Sequence, residues 1–580
     1  MAEPLNLAAL ERALEGVGAG QAGVQSSEQW RALRAAAKEA RRGKPPALVS
    51  AAVEAVNAQR NVEGARLGLR AVKDHPECAP GYLASAVALE RLGFLAEALA
   101  FYEQALARSP NDPSICALLG ATAGRCRQPK LAEQFYRLAV QLEPNEPAHL
   151  NNLAGVLRDL GRFDDAIELL RQRLYLNPEL AALWNTLGTV VQEQGDAETA
   201  QTFLAEAARL DPKNPGARHN AALALADLGR FEEAEAALDV ALTLADSDAA
   251  RAEMRSARAY ARLGAGHLAG GWEDYEARFD PLTREPTFIH AHAPRWDRQS
   301  ALAGKHLLVM GEQGLGDEVI FMSALPDAVA AAGQVTIACE KRLAPLVARS
   351  FPSARVIGYR TQLQNGRLNR FIEPGAWEGV DLWAPLADLA VAYRPTTARF
   401  PDARGYLIAD PARVGAFRAQ LAGAPGLKIG IAWKSLIMTG KRARGFAPFA
   451  AWAPLLTAPN AVFYSLQYGS TDEEEAYAAE KWGLSLRKIE GLDVKDDLEG
   501  VAAAGCALDL VIGPANASTN LAAACGGDVW FMVRRPAWPM LGTAGMPWYP
   551  HTRVFCAGEK SWHALFEEIA SAARERSAPA

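Results

Sequence analysis

Along the first half of the chain the apolar positions are mostly small, and they recur. Ala98, Ala132, Ala166, Ala200 and Ala234 stand 34 residues apart, and Ala105, Ala139, Ala207 and Ala241 keep the same register. Pro76, Pro110, Pro144, Pro178 and Pro212 follow the same interval, as do Gly93, Gly161, Gly195 and Gly229, with Arg127 at the step where glycine is missing. This pattern predicts pairs of antiparallel helices: alanines allow close packing, glycine ends the first helix, and proline opens the turn to the next pair. Tyr82, Tyr102, Tyr136, Phe163, Trp184 and Phe231 are suited to fill the spaces between helices. From Lys305 the texture changes to short apolar strands alternating with helices. HLLVM (306–310) reads as a buried strand, followed by a glycine-rich loop, a helix to about 332, a strand near 335–339, a helix near 342–350 and a strand at 355–358. A second set follows, with strands at 427–433, 461–466, 507–513 and 528–533. Strand, loop, helix and parallel strand form a right-handed βαβ unit.

The 34-residue period is the tetratricopeptide signature. Repeats are predicted at 79–112, 113–146, 147–180, 181–214 and 215–248, with a weaker one at 45–78 and a degenerate terminal one from about 249. Residues 1–44 read as a helical extension of two short helices around a Gly-rich stretch, able to cap the array or dock a partner. Such stacks form a groove that binds an extended peptide or another protein. Asn152 and Asn220 share one repeat position, and Asn185 lies one position earlier in the repeat between them. They either hydrogen-bond a peptide backbone in the groove or are solvated residues of the first helices. The array is taken as 45–280 and residues 281–304, with Pro281, Pro286 and Pro294, as a linker or docking segment. His290 and His292 lack a third ligand candidate nearby, so a metal site is not expected there. The α/β part then divides into lobes at 305–405 and 406–575. The predicted fold class is multidomain: an all-α solenoid followed by two Rossmann-like lobes.

Composition narrows the function. At 22% charged residues and a net charge of −6, nothing points to nucleic acid. The seven cysteines are scattered, with no CxxC, which supports neither a disulfide framework nor a zinc site. The first residues lack a basic segment and a long apolar core, and no uninterrupted apolar run of about 18 residues occurs, so a cytoplasmic protein is expected.

Ligands of open parallel sheets bind beyond the carboxyl ends of strands. The first such loop, GEQGLGDE (311–318), has neither the GxGxxG order nor a Walker lysine. Gly314 and Gly316 let a substrate approach the backbone, with Glu312 and Gln313 beside them. Asp317 either caps the following helix or acts as a general base toward an acceptor hydroxyl. In the second lobe, Trp433, Lys434 and Ser435 follow a strand, and Lys441, Arg442 and Arg444 lie in the loop beyond. These either neutralise a phosphate or sugar carboxylate or form a solvated basic loop. Gln467 and Tyr468 end the next strand. Pro514, Asn516, Ser518, Thr519 and Asn520 lead into a helix whose N-terminus suits a phosphate or carboxylate, or is an ordinary cap.

PRWD (294–297), LAGKHLLVMGEQGLGDE, IGIAWKS (429–435), FYSLQYG (463–469), LDLVIGP (508–514), NLAAACG (520–526) and PWYP (547–550) together resemble the heptosyltransferase-like glycosyltransferases of the GT-B fold. The resemblance runs through most of 294–557. It implies that Asp317 is the base and that no metal or other cofactor takes part. Relatives carry Asp-Thr and a histidine where this chain has Ala515, Asn516 and Asn520, so their ADP-heptose donor does not transfer. The pairing with repeats is similar to flagellin-modifying glycosyltransferases of alphaproteobacteria. That implies a nucleotide-activated nonulosonic acid of the pseudaminic type, suspected to be CMP-linked, placed on Ser/Thr of flagellin held by the repeats. Alternatives are transfer to an envelope or lipid-linked saccharide, and an inactive scaffold for protein interaction.

Overall fold

The computed structural model describes residues 7–15, 46–283, 286–312, 314–364, 367–436, 438, 443 and 445–577. Of the predicted N-terminal extension, helix α1 (Leu7–Glu15) is described and residues 16–45 are not. Paired helices follow at the predicted period: α2 (Ala47–Asn57) and α3 (Asn61–Asp74), α4 (Ala79–Arg91) and α5 (Leu95–Arg108), α6 (Pro113–Arg125) and α7 (Pro129–Leu142), α8 (Pro147–Asp159) and α9 (Phe163–Leu176). The series continues with α10 (Ala181–Gln194) and α11 (Ala197–Leu210), α12 (Pro215–Asp227) and α13 (Phe231–Leu244), and α14 (Asp248–Ala265) and α15 (Leu268–Tyr275). This is a helical tetratricopeptide solenoid. Each tight turn inside a pair carries one left-handed residue, and where glycine is absent Gln59 (φ 59°) and Arg127 (φ 57°) adopt it.

The chain forms two compact units, one of residues 1–194 and 202–211, the other of 195–201 and 212–580. The second unit therefore contains α12–α15 as well as the strands. Its first parallel sheet has the order β4 (Arg355–Gly358), β3 (Gln334–Cys339), β2 (His306–Met310), β7 (Leu382–Pro385). The other, also parallel, runs β12 (Arg553–Cys556), β11 (Val529–Val533), β10 (Leu510–Gly513), β8 (Leu427–Ile431), β9 (Ala461–Ser465). A small third sheet joins β1 (Thr287–Ile289), β6 (Arg367–Phe371) and β5 (Arg360–Gln364). Strands β1, β5, β6, β7 and β12 were not predicted. They are at most five residues long, and β5 (RTQLQ) is exposed throughout and polar but for Leu363, so neither length nor alternation marks them.

Helices α16 (Leu315–Phe321), α17 (Leu325–Ala331), α18 (Ala344–Ser350) and α19 (Leu386–Tyr393) belong with the first sheet. With the second belong α20 (Pro411–Leu421), α21 (Ala453–Leu456), α22 (Asp472–Trp482), α23 (Leu498–Ala507), α24 (Ala517–Ala524) and α25 (Trp562–Ser577). One apolar core runs through the unit: Trp272 of α15 packs edge-on against Phe321 (6.3 Å) and Trp548 (6.5 Å).

Residues 281–304, expected to be a linker or docking segment, are fastened into the fold. They supply β1, and Arg295 binds both Asp388 (2.8 and 2.6 Å) and Glu276 (2.9 and 3.0 Å). His290 bonds Asn369 (2.9 Å) and stacks on Phe371, and no His/Cys/Asp/Glu cluster fit for a metal exists among the described residues. Nor is any described helix long and apolar enough to cross a membrane.

Candidate functional site

The strand orders locate the switch points. In the first sheet connections leave β2 toward β3 on one side and reach β7 on the other; in the second they leave β8 toward β9 and return to β10. A crevice opens where neighbouring strands send their chains in opposite directions. The loop after β2 is Gly311–Gly314. The loops after β8 and β10 are those beginning at Ala432 and Pro514. The two candidate loops of the second lobe thus flank one switch point, and the glycine loop lies at the other.

The two meet. Asn520 Nδ2 donates to Gly316 O at 3.4 Å, and a Cβ on Gly316 would stand 3.3 Å from that nitrogen, tighter than an ordinary side-chain contact. Glycine is needed here for close approach. Asp317 is half-buried in the first turn of α16. The capping position falls on Gly314 rather than Asp317, so the capping alternative is corrected: Asp317 sits three residues further on, where the helix dipole favours a carboxylate. Its charge is felt by Tyr260 of α14, Tyr275 of α15 and Tyr549. Burial, and after it the Asp317 carboxylate, pushes the Tyr260 phenol up to about 12. Burial is also the main cause of the upward shifts of Tyr275 and Tyr549, to which Asp317 adds. Repeat helices therefore bring aromatic side chains to the glycine loop, which no sequence motif signalled.

Glu312, a candidate for substrate contact, has another role. It is fully buried, accepts Arg278 Nε (2.5 Å) and Nη2 (3.0 Å), and accepts the N–H of Ala387 (2.8 Å). Its charge is spent on the core because Arg278, 34 positions earlier, is buried against it. Gln313 lies outside the described residues.

Around the second sheet the candidates divide between two cavities. Trp433 and Lys434 line one of about 440 Å³ with Phe446, Phe449, Glu474 and Trp562. Gln467 lines another of about 560 Å³ with Ser465, Thr471 and Asp493. Lys434 Nζ is paired with Glu474 at 2.5 Å, a partner hidden in the acidic run 472–475, so its charge is offset. Lys441, Arg442 and Arg444 lie outside the described residues. Gln467, expected to touch a nucleotide, is buried and accepts the N–H groups of Trp433 (2.8 Å) and Lys434 (2.9 Å), tying the two strand ends together. Ser435 is buried and Tyr468 half-buried.

The loop after β10 is an ordered cap. Asn516 accepts the N–H of Thr519 (3.1 Å), Thr519 Oγ1 accepts the N–H of Asn516 (3.0 Å) and donates to Pro514 O (2.6 Å), and Ser518 donates to Leu466 O (3.1 Å). Both hydroxyls thereby donate to backbone carbonyls. Asn516 Nδ2 and Asn520 Oδ1 are buried without a protein partner. Buried polar atoms are rarely left so. In the repeats, Asn152, Asn185 and Asn220 are half-buried on α8, α10 and α12, the first helices of their pairs.

Residues 49–113, 148–174 and 192–264 match the tetratricopeptide repeat family. Over 558 residues, covering 95% of this chain and 93% of the relative, the sequence is 40% identical to the protein FlbA of Caulobacter vibrioides. Among solved structures, YrrB, described as a TPR protein with an unusual peptide-binding site, is 22% identical, with 32% of this chain and 96% of YrrB covered and a TM-score of 0.25. A thermophilic TPR protein of Thermus thermophilus, TTC0263, is 26% identical, with 31% and 98% covered and a TM-score of 0.28.

Proposed function

The chain belongs to the family of the protein FlbA, and from its site we propose a protein O-glycosyltransferase in which two GT-B lobes transfer a sugar to an acceptor recruited by the repeats. The observation that carries the proposal is the contact between the helices that follow the two switch-point loops, with Asn520 of α24 against Gly316 of α16 and Asp317 next to it in the first turn of α16. In this reaction the Asp317 carboxylate accepts the proton of a Ser or Thr hydroxyl as its oxygen bonds the anomeric carbon. The bond from that carbon to the nucleotide phosphate breaks, and the electron pair leaves with the phosphate. The N-terminus of α24 and the unpartnered Asn516 amide suit that oxyanion. No metal or other cofactor is needed for these steps. The donor is a nucleotide-activated nonulosonic acid, CMP-linked, and the acceptor is flagellin; both rest on the sequence resemblance.

Asp317→Ala tests this: mass spectrometry of flagellin from cells carrying the folded variant should show the nonulosonate mass lost. Undiminished modification rejects the catalytic assignment. A second reading, a scaffold without activity, is favoured by the engagement of Glu312, Lys434, Gln467, Ser518 and Thr519 in the fold's own contacts. Saturable binding of CMP to the full chain, lost in Asn516→Leu, supports the transferase and disfavours the scaffold.

A further inference from the structure

Glu318 follows Asp317 and takes no part in the reaction just described. Its carboxyl is wholly buried. The Tyr359 hydroxyl donates to Oε2 at 2.7 Å, and the backbone N–H of Glu340 donates to Oε1 at 2.8 Å. Glu340 directly follows β3 and Tyr359 directly follows β4, so the carboxyl bridges two strand ends. Gly311 lies against it: a Cβ there would come within 2.5 Å of the carboxyl carbon. From β6, Arg370 stacks over the Tyr359 ring at 4.5 Å and donates from Nη1 to Gly311 O at 2.5 Å. Three strands and one helix thus converge on the first residue of the glycine loop.

We propose that Glu318 is a positioning residue: with Tyr359 and Arg370 it fixes Gly311 against the first turn of α16 and thereby the place of the Asp317 carboxylate. The proposal rests on the reading of Asp317 as the base. Gly311 has no side chain to anchor it, so its place is set by what grips it. A displacement of about 1 Å at a reacting group can cost on the order of a hundredfold in rate. Burial raises the Glu318 carboxyl to about 7, while Tyr359, the Glu340 N–H and Arg370 draw it back and the Glu340 carboxylate adds to the rise. Cys339, also near, has its thiol pushed up by burial and then by the Glu318 charge. Glu318 accordingly changes charge in the neutral range, and the grip on the turn changes with it.

The test measures kcat and KM of the full chain against pH, with CMP-activated nonulosonate as donor and flagellin as acceptor, for the natural protein, Glu318→Gln, Tyr359→Phe and Asp317→Asn. Glu318→Gln should lower kcat roughly tenfold or more, leave donor KM nearly unchanged, and abolish an inflection near pH 7. Tyr359→Phe, which keeps the ring and removes one donor to the ionised carboxyl, should move that inflection upward. A lower melting temperature with kcat and pH profile intact in either variant would mean a structural role alone and overturns the proposal. Turnover retained by Asp317→Asn rejects the base assignment itself and the positioning role with it. Turnover lost there but unaltered in Glu318→Gln rejects the positioning role only.

Discussion

Three carboxylates stand within seven residues, at 312, 317 and 318, and their surroundings give them three different fates. Glu312 faces the buried Arg278 guanidinium, so Glu312→Ala would remove its hydrogen-bonded carboxylate and leave it only the more distant Glu276 (3.9 Å) and Asp388 (3.8 Å). A loss of about 3–5 kcal/mol in urea unfolding is expected, and a loss below about 1 kcal/mol would show that water reaches Arg278. Glu318 is held by the Tyr359 hydroxyl and the Glu340 N–H, and burial, only partly offset by these and by Arg370, raises it to about 7. The folded protein then holds this proton more tightly than the unfolded chain, whose glutamate titrates near about 4.3. Stability from the protonated group is fully present below that value and is lost as pH rises through 7. Glu318→Gln should flatten the unfolding free energy against pH over this interval, by roughly 3 kcal/mol across it. An unchanged slope would place the titration elsewhere. The motif GEQGLGDE marked the neighbourhood, but sequence could not sort these carboxylates, because the partners of Glu312 and Glu318 lie 22 to 75 positions away.

At the scale of elements, the turns inside the helix pairs are set by one residue each. Arg127 holds φ 57° where most repeats have glycine. A β-carbon is strained in that region, and Arg127→Gly should raise stability by about 0.5–1 kcal/mol, less what glycine adds to the unfolded chain's entropy. Calorimetry of the full chain checks it, and a lowered transition would show that the arginine side chain outweighs the strain. The start of α24 is held by the reciprocal bonds of Asn516 and Thr519. Asn516→Ala should cost about 1 kcal/mol in addition to any loss of ligand. The helix pairs were readable because their period repeats and each period carries its own turn signal. The short strands were not, since pairing across a sheet, rather than local pattern, makes them strands.

For the whole molecule the decisive feature is that the last repeat helices are part of the α/β core. Leu263, Leu268, Trp272 and Tyr275 are buried with Phe321 and Trp548. At about 1.5–3 kcal/mol for each large side chain, their removal would withdraw roughly 6–12 kcal/mol. A fragment beginning at residue 212 should therefore fold with a cooperative thermal transition, and one beginning at 281 should not. Cooperative unfolding of the shorter fragment would show that the strands form a core unaided.

The sequence by itself determined the repeats, the alternation of strands and helices, and the glycine-rich and polar loops at the strand ends. These are local properties, written in period, turn chemistry and the run of apolar residues. Only the tertiary structure decided which polar groups remain for chemistry. A side chain's availability depends on what distant segments bring to it: Arg278 takes Glu312, Glu474 offsets Lys434, and the strand ends take Gln467. The same folding brings Tyr260 and Tyr275 from the repeats to the surroundings of Asp317, because burying apolar surface draws distant segments together whatever their separation along the chain.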